Sequence, residues 1–110
     1  MDFPIAYDEA RLAAVCRTHG IRVLEAFGSV LRDDFNPEQS DLDVLVVYLK
    51  PHERPDHHAR PKGLKAVMGL RDELADIFGR HVDVVNAATI RDPFFFAEAM
   101  KNRRRLYAAA

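Results

Sequence analysis

The stretch Ser40-Asp41-Leu42-Asp43-Val44-Leu45-Val46-Val47-Tyr48-Leu49 decides the fold. Its β-branched and apolar residues, preceded by turn formers, predict a strand over residues 41–49. Side chains alternate across a strand, so Asp41, Asp43, Leu45 and Val47 share one side, and Leu42, Val44, Val46 and Tyr48 share the other. The second set asks for a packed core. The first opens with two carboxylates a few ångströms apart.

Upstream, Ile21 to Phe27 reads as another strand, ended abruptly by Gly28-Ser29. A short helical turn follows Ser29, and the turn formers Asp33, Asp34, Asn36, Pro37 and Ser40 make the rest a loop. Before that strand, Asp8 is a helix N-cap, and the helix runs to about His19, with Gly20 suited to the left-handed residue after it. Downstream, Lys50 to Lys62 holds three prolines, three histidines and six other charged residues and reads as a solvated loop. Leu64, Val67, Met68, Leu74, Ala75 and Phe78 then fall at offsets 0, 3, 4, 10, 11 and 14, an amphipathic helix ending at Gly79. A short strand covers His81 to Asn86. Asp92-Pro93 starts a last helix that carries Phe94, Phe95 and Phe96 and ends in Lys101 to Arg105. This order predicts an α/β (α+β) fold, a small mixed sheet with helices packed on it.

Length and composition set the bounds. The 110 residues are expected to form one domain over 1–110, long enough for one core. With 16 Lys+Arg against 17 Asp+Glu, the formal charge of −1 argues against stable nucleic-acid binding, which depends on cations neutralising phosphates. The single cysteine, Cys16, excludes an internal disulfide and points to a reducing cytoplasm; with Leu12, Val15 and His19 it lies on one helical face and reads as core. The start, Met1-Asp2-Phe3-Pro4, lacks the basic and apolar regions of a signal peptide. The longest apolar run, Val44 to Leu49, is six residues, so no membrane span is expected.

Three features carry chemistry in one order: Gly28-Ser29 after a strand, Asp41-Leu42-Asp43 opening the next, and Asp83 in a third. An isolated Asp-x-Asp commonly faces solvent at a strand start, and Gly-Ser is a common turn; the combination is what is specific. Two carboxylates ~5 Å apart at an effective dielectric near 20 repel by roughly 3 kcal/mol, and a third multiplies that. Such a cluster needs raised pKa values or a divalent cation, and hard oxygen donors suit Mg²⁺ or Mn²⁺. Gly28 and Ser29, at the start of a short helix, offer N–H groups and a hydroxyl to phosphate oxygens, and Arg32 one turn on adds a cation. The reaction class these residues imply is phosphoryl or nucleotidyl transfer.

These residues, with Val44 to Val47 after the acidic pair and Val82-Asp83-Val84-Val85 later, resemble the DNA-polymerase-β-like nucleotidyltransferase superfamily. Within it the chain is similar to the minimal nucleotidyltransferases (MNT), antitoxins of HEPN/MNT toxin–antitoxin systems, down to the Leu106-Tyr107 near its end. The resemblance implies a polymerase-β palm-like fold. It implies that Gly28 and Ser29 bind the triphosphate, that Asp41 and Asp43 hold Mg²⁺ or Mn²⁺, and that Asp83 completes the metal site and helps deprotonate the acceptor. It further implies transfer of AMP from ATP to a tyrosine of a HEPN RNase toxin. The alternative is a non-catalytic antitoxin that neutralises its HEPN partner by binding alone. One departure is Asp33, which follows Arg32 where many members carry glycine.

Other groups have plainer readings. His52, His57 and His58, with Glu53, fit no zinc spacing and read as a polar loop, with a place over the nucleotide or against a partner as the alternative reading. Three consecutive phenylalanines cannot all face one core from a helix, so at least one of Phe94, Phe95 and Phe96 is exposed or at an interface. Arg103-Arg104-Arg105 reads as a solvated helix end.

Overall fold

In the computed structural model, which describes residues 3–33, 35–38, 40–54, 63–94, 97 and 101–109, the chain enters helix α1 (Glu9–Thr18). The Asp8 carboxylate caps it, accepting the Arg11 N–H at 3.1 Å and satisfying a donor that every helix start leaves over. Strand β1 (Ile21–Phe27) follows, then a 3-10 turn at Gly28–Leu31 and strand β2 (Leu42–Tyr48). Helix α2 (Leu64–Phe78) leads to β3 (Val82–Asn86), and β4 (Arg103–Ala108) is the last strand.

The four strands form one sheet in the order β3-β2-β1-β4. β1 runs antiparallel to β2 and β4, whereas β2 and β3 are parallel and joined by the α2 crossover. The alternation expected of residues 41–49 holds. Leu42, Val44 and Val46 join Leu24, Ala26 and Val82 under Leu12 and Cys16 of α1 and Leu70, Leu74 and Phe78 of α2. Each such side chain contributes about 1.5–3 kcal/mol by leaving water, and this face holds the main core. On the opposite face Phe27 and Leu45 make a smaller cluster with Val85, Ala87 and Ile90.

One expectation is corrected. The helix predicted to end in Lys101 to Arg105 does not reach that far: residues 93, 94, 97 and 101 are helical, but Arg103 to Arg105 lie in β4. They pair with Phe27, Ala26 and Glu25 of β1, whose backbone would otherwise be an unpaired sheet edge, so tertiary pairing overrides the charge pattern of a helix end. The amphipathic helix expected to end at Gly79 is observed as α2, its buried apolar side chains lying toward the C-terminal end. Leu70, Leu74 and Phe78 are buried, whereas Leu64, Val67 and Met68 are exposed.

Cys16 is fully buried, as its helical face implied. Phe94 is exposed, meeting the expectation for one of the three phenylalanines; Phe95 and Phe96 lie outside the described residues. His57 and His58 also lie outside them, while His52 sits in a 3-10 turn, Pro51–Glu53. Among the described residues no helix is long and apolar enough to cross a membrane.

Candidate active site

The register of the sheet brings the sequence-predicted acidic residues together. Asp43 pairs with Phe27 of β1 on one side and with Asp83 of β3 on the other. Parallel and antiparallel partners project on the same face, so the end of β1 and the starts of β2 and β3 meet at one corner of the sheet. The face they share is the one α1 and α2 leave uncovered.

Gly28 is the first residue beyond β1, and its φ of +76° is a left-handed conformation that L side chains rarely adopt. Its Cα also faces Asp43: a Cβ at this position would stand 2.8 Å from Asp43 Oδ2. The glycine therefore supplies both the turn and the room for the carboxylate. Ser29 follows in the same 3-10 turn, where its carbonyl accepts the Arg32 N–H at 3.0 Å.

The convergence has an electrostatic consequence for Asp43. Burial pushes the Asp43 carboxyl above the usual carboxylate range, the Asp83 charge and a hydrogen bond with Asp83 push it further, and Asp41 adds to this. Arg32 acts on Asp43 in the opposite direction, favouring its charged form.

One participant was not singled out in the sequence. His81 Nε2 lies 2.9 Å from Asp83 Oδ1, and donor atoms of Asp41, His81 and Asp83 all lie within 4.8 Å of one another. The signal was available, since residue 81 has the same parity as residue 83 and so shares its face. Neighbouring contacts hold this edge in place. Leu42 N–H donates to the His81 carbonyl at 3.0 Å, and the Arg80 guanidinium donates to the Ser40 carbonyl at 3.2 Å while lying over the Phe35 ring. The segment before Asp41 is thereby tied to the segment before Asp83.

Asp41 and Asp83 offer converging oxygen donors that could hold a hard divalent cation, beside Asp43, whose anion is opposed first by burial and then by both neighbouring carboxylates. A four-stranded mixed sheet with helices on one face and this acidic corner on the other defines a small α+β domain. The chain belongs to the nucleotidyltransferase domain family, whose model matches residues 11–106.

No curated protein matches the chain. Its fold is similar to a chain in the crystal structure of a toxin–antitoxin with AMP-PNP, with a TM-score of 0.63 and 17% identity over 93% of this chain and 74% of that one. It is similar as well to a chain in the structure of a tri-AMPylated Shewanella oneidensis HEPN toxin in complex with MNT antitoxin, with a TM-score of 0.58 and 17% identity over 92% and 70% of the two chains. A third likeness, to the toxin–antitoxin MntA–HepT, has a TM-score of 0.57 and 16% identity over the same shares, 92% and 70%. The palm-like α+β architecture expected from the sequence is thus the observed one.

Proposed function

We propose that this chain transfers AMP from ATP to a tyrosine hydroxyl of a HEPN-domain toxin in the cytoplasm and so acts as an antitoxin. The observation that carries this reading is the contact of Asp43 with both Asp83 and the Gly28 turn. Family membership supports the reaction class, and the likeness to toxin–antitoxin structures, one with AMP-PNP and one with an AMPylated toxin, supports the donor and the partner.

Each residue has a part. Gly28 and Ser29 bind the triphosphate where a side chain at position 28 would collide with Asp43, and Arg32 supplies positive charge beside it. Asp41, Asp43 and Asp83 hold Mg²⁺ or Mn²⁺, which when bound neutralises charge that builds on the phosphates. The acceptor oxygen attacks the α-phosphorus, a new P–O bond forms, and the bond to the β-phosphate oxygen breaks to release pyrophosphate. Asp83, on the rim of the corner, takes the acceptor's proton.

The test uses the purified chain, its HEPN partner, Mg²⁺ and ATP labelled at the α-phosphate. Label is expected to pass to the partner and to be lost with Asp41→Asn or Asp43→Asn. Equal neutralisation of the toxin by wild type and by the double variant would favour inhibition by binding alone.

A further inference from the structure

We infer that His81 is a nitrogen donor to the metal centre, so that this site takes Mn²⁺ in preference to Mg²⁺. The inference rests on the nucleotidyltransferase reading of the carboxylate corner and deepens it.

His81 Nε2 and Asp83 Oδ1 are 2.9 Å apart. The two groups share a hydrogen bond, and because adjacent ligands of an octahedral ion with bonds of ~2.1 Å also stand about 3 Å apart, an ion could take the place of the shared proton with little movement of either group. Asp41 adds an oxygen within 4.8 Å of both. The His81 and Asp83 side chains are 52% and 53% exposed, which leaves them reachable from solvent. The backbone behind the ring is fixed, because the His81 carbonyl is hydrogen-bonded to β2 through Leu42.

The choice of ion follows from ligand chemistry. Mg²⁺ takes oxygen donors and keeps its waters, and an imidazole adds less to its binding than to that of a first-row transition ion, of which Mn²⁺ is the one that also suits the carboxylates at this corner. A corner made only of carboxylates has no such bias; a corner with His81 does. Asp83 then links two groups, Asp43 on one side and His81 on the other.

The experiment loads the full chain with Mn²⁺ and records pulsed EPR for coupling to ¹⁴N, alongside Mn²⁺ and Mg²⁺ titrations of wild type, His81→Ala and His52→Ala. The expected result is nitrogen coupling in wild type and His52→Ala and none in His81→Ala. Mn²⁺ binding by His81→Ala should weaken by about tenfold or more, with Mg²⁺ binding changed by less than about twofold. Because His81 is half exposed, the variant should melt with wild type, which separates ligation from folding. Wild-type Mn²⁺ without nitrogen coupling, or an Mn²⁺/Mg²⁺ ratio indifferent to His81, overturns the inference while AMP transfer can stand. His81-dependent Mn²⁺ binding by a chain that transfers no AMP supports the inference and overturns the functional reading instead.

Discussion

The two faces of the sheet are built from the same strands and have opposite contents. Under α1 and α2, Leu24, Ala26, Leu42, Val44, Val46 and Val82 are all fully buried among apolar neighbours. One residue along β2 and β3, the other face carries Asp43 and Asp83 at one end, beside a small apolar cluster around Phe27 and Leu45. Glu25 on this second face is buried too, but Arg103 donates to its carboxylate at 3.0 Å, so the charge is paired. The difference teaches that a period of two lets one strand serve stability and chemistry without compromise. Asp43 and Val44 are neighbours in sequence, and their substitutions should fail in different assays.

The largest expected effect is on the chemical face. Asp43→Asn should reduce AMP transfer by at least about a thousandfold, the order of ~4 kcal/mol lost when a site's main charge partner is removed. Its melting temperature should equal or exceed wild type, because burial and the Asp83 and Asp41 charges all oppose the Asp43 anion. A large drop in melting temperature would mean that the carboxylate is structural and the two faces are not separable. On the covered face, Leu74→Ala should lower stability by about 2–5 kcal/mol in denaturant titration, since the side chain is fully buried. Transfer activity per folded molecule should stay near wild type. Leu45→Ala, in the smaller cluster, should cost less than Leu74→Ala.

Much of this division was legible before any coordinates. The alternation in residues 41–49 separated the acidic side from the apolar side, and Gly28, Ser29, Asp41, Asp43 and Asp83 were identified from type and order. Their convergence depends on register, which is set by pairing across strands and is not a local property. β4 was missed for a related reason: Arg103, Arg104 and Arg105 have no strand-like pattern of their own and become a strand only because β1 offers an edge. His81 escaped because a lone histidine at a strand start has no signature until its neighbour on the same face is seen to be Asp83.

Gly28 joins the two faces, since it ends a core strand and makes room for the acidic corner. Gly28→Ala meets two penalties: a φ of +76° that alanine adopts with strain, and a Cβ 2.8 Å from Asp43 Oδ2. The expected cost is about 1–2 kcal/mol of stability, read from thermal melts. Activity should fall further than this loss explains, because relief of the contact moves Asp43. A variant as stable and as active as wild type would show that the turn does not set the position of the carboxylate.

The smallest effect tests the covered face by charge instead of by volume. Cys16 is completely buried, and burial pushes its thiol up to about 12, from 9.0 in an open chain, with Arg17 a minor opposing influence. Because the folded state keeps this proton longer, its stability contribution is complete below pH 9.0 and is lost as the pH rises from there toward about 12. One pH unit into that window corresponds to roughly 1.4 kcal/mol. Denaturant midpoints at pH 8 and pH 10 should therefore show wild type losing about 1 kcal/mol more than Cys16→Ala, whatever the tyrosines and surface groups contribute to both. Equal losses would mean that the thiol under α1 is already reached by water, and that the covered face tolerates charge as the acidic corner does.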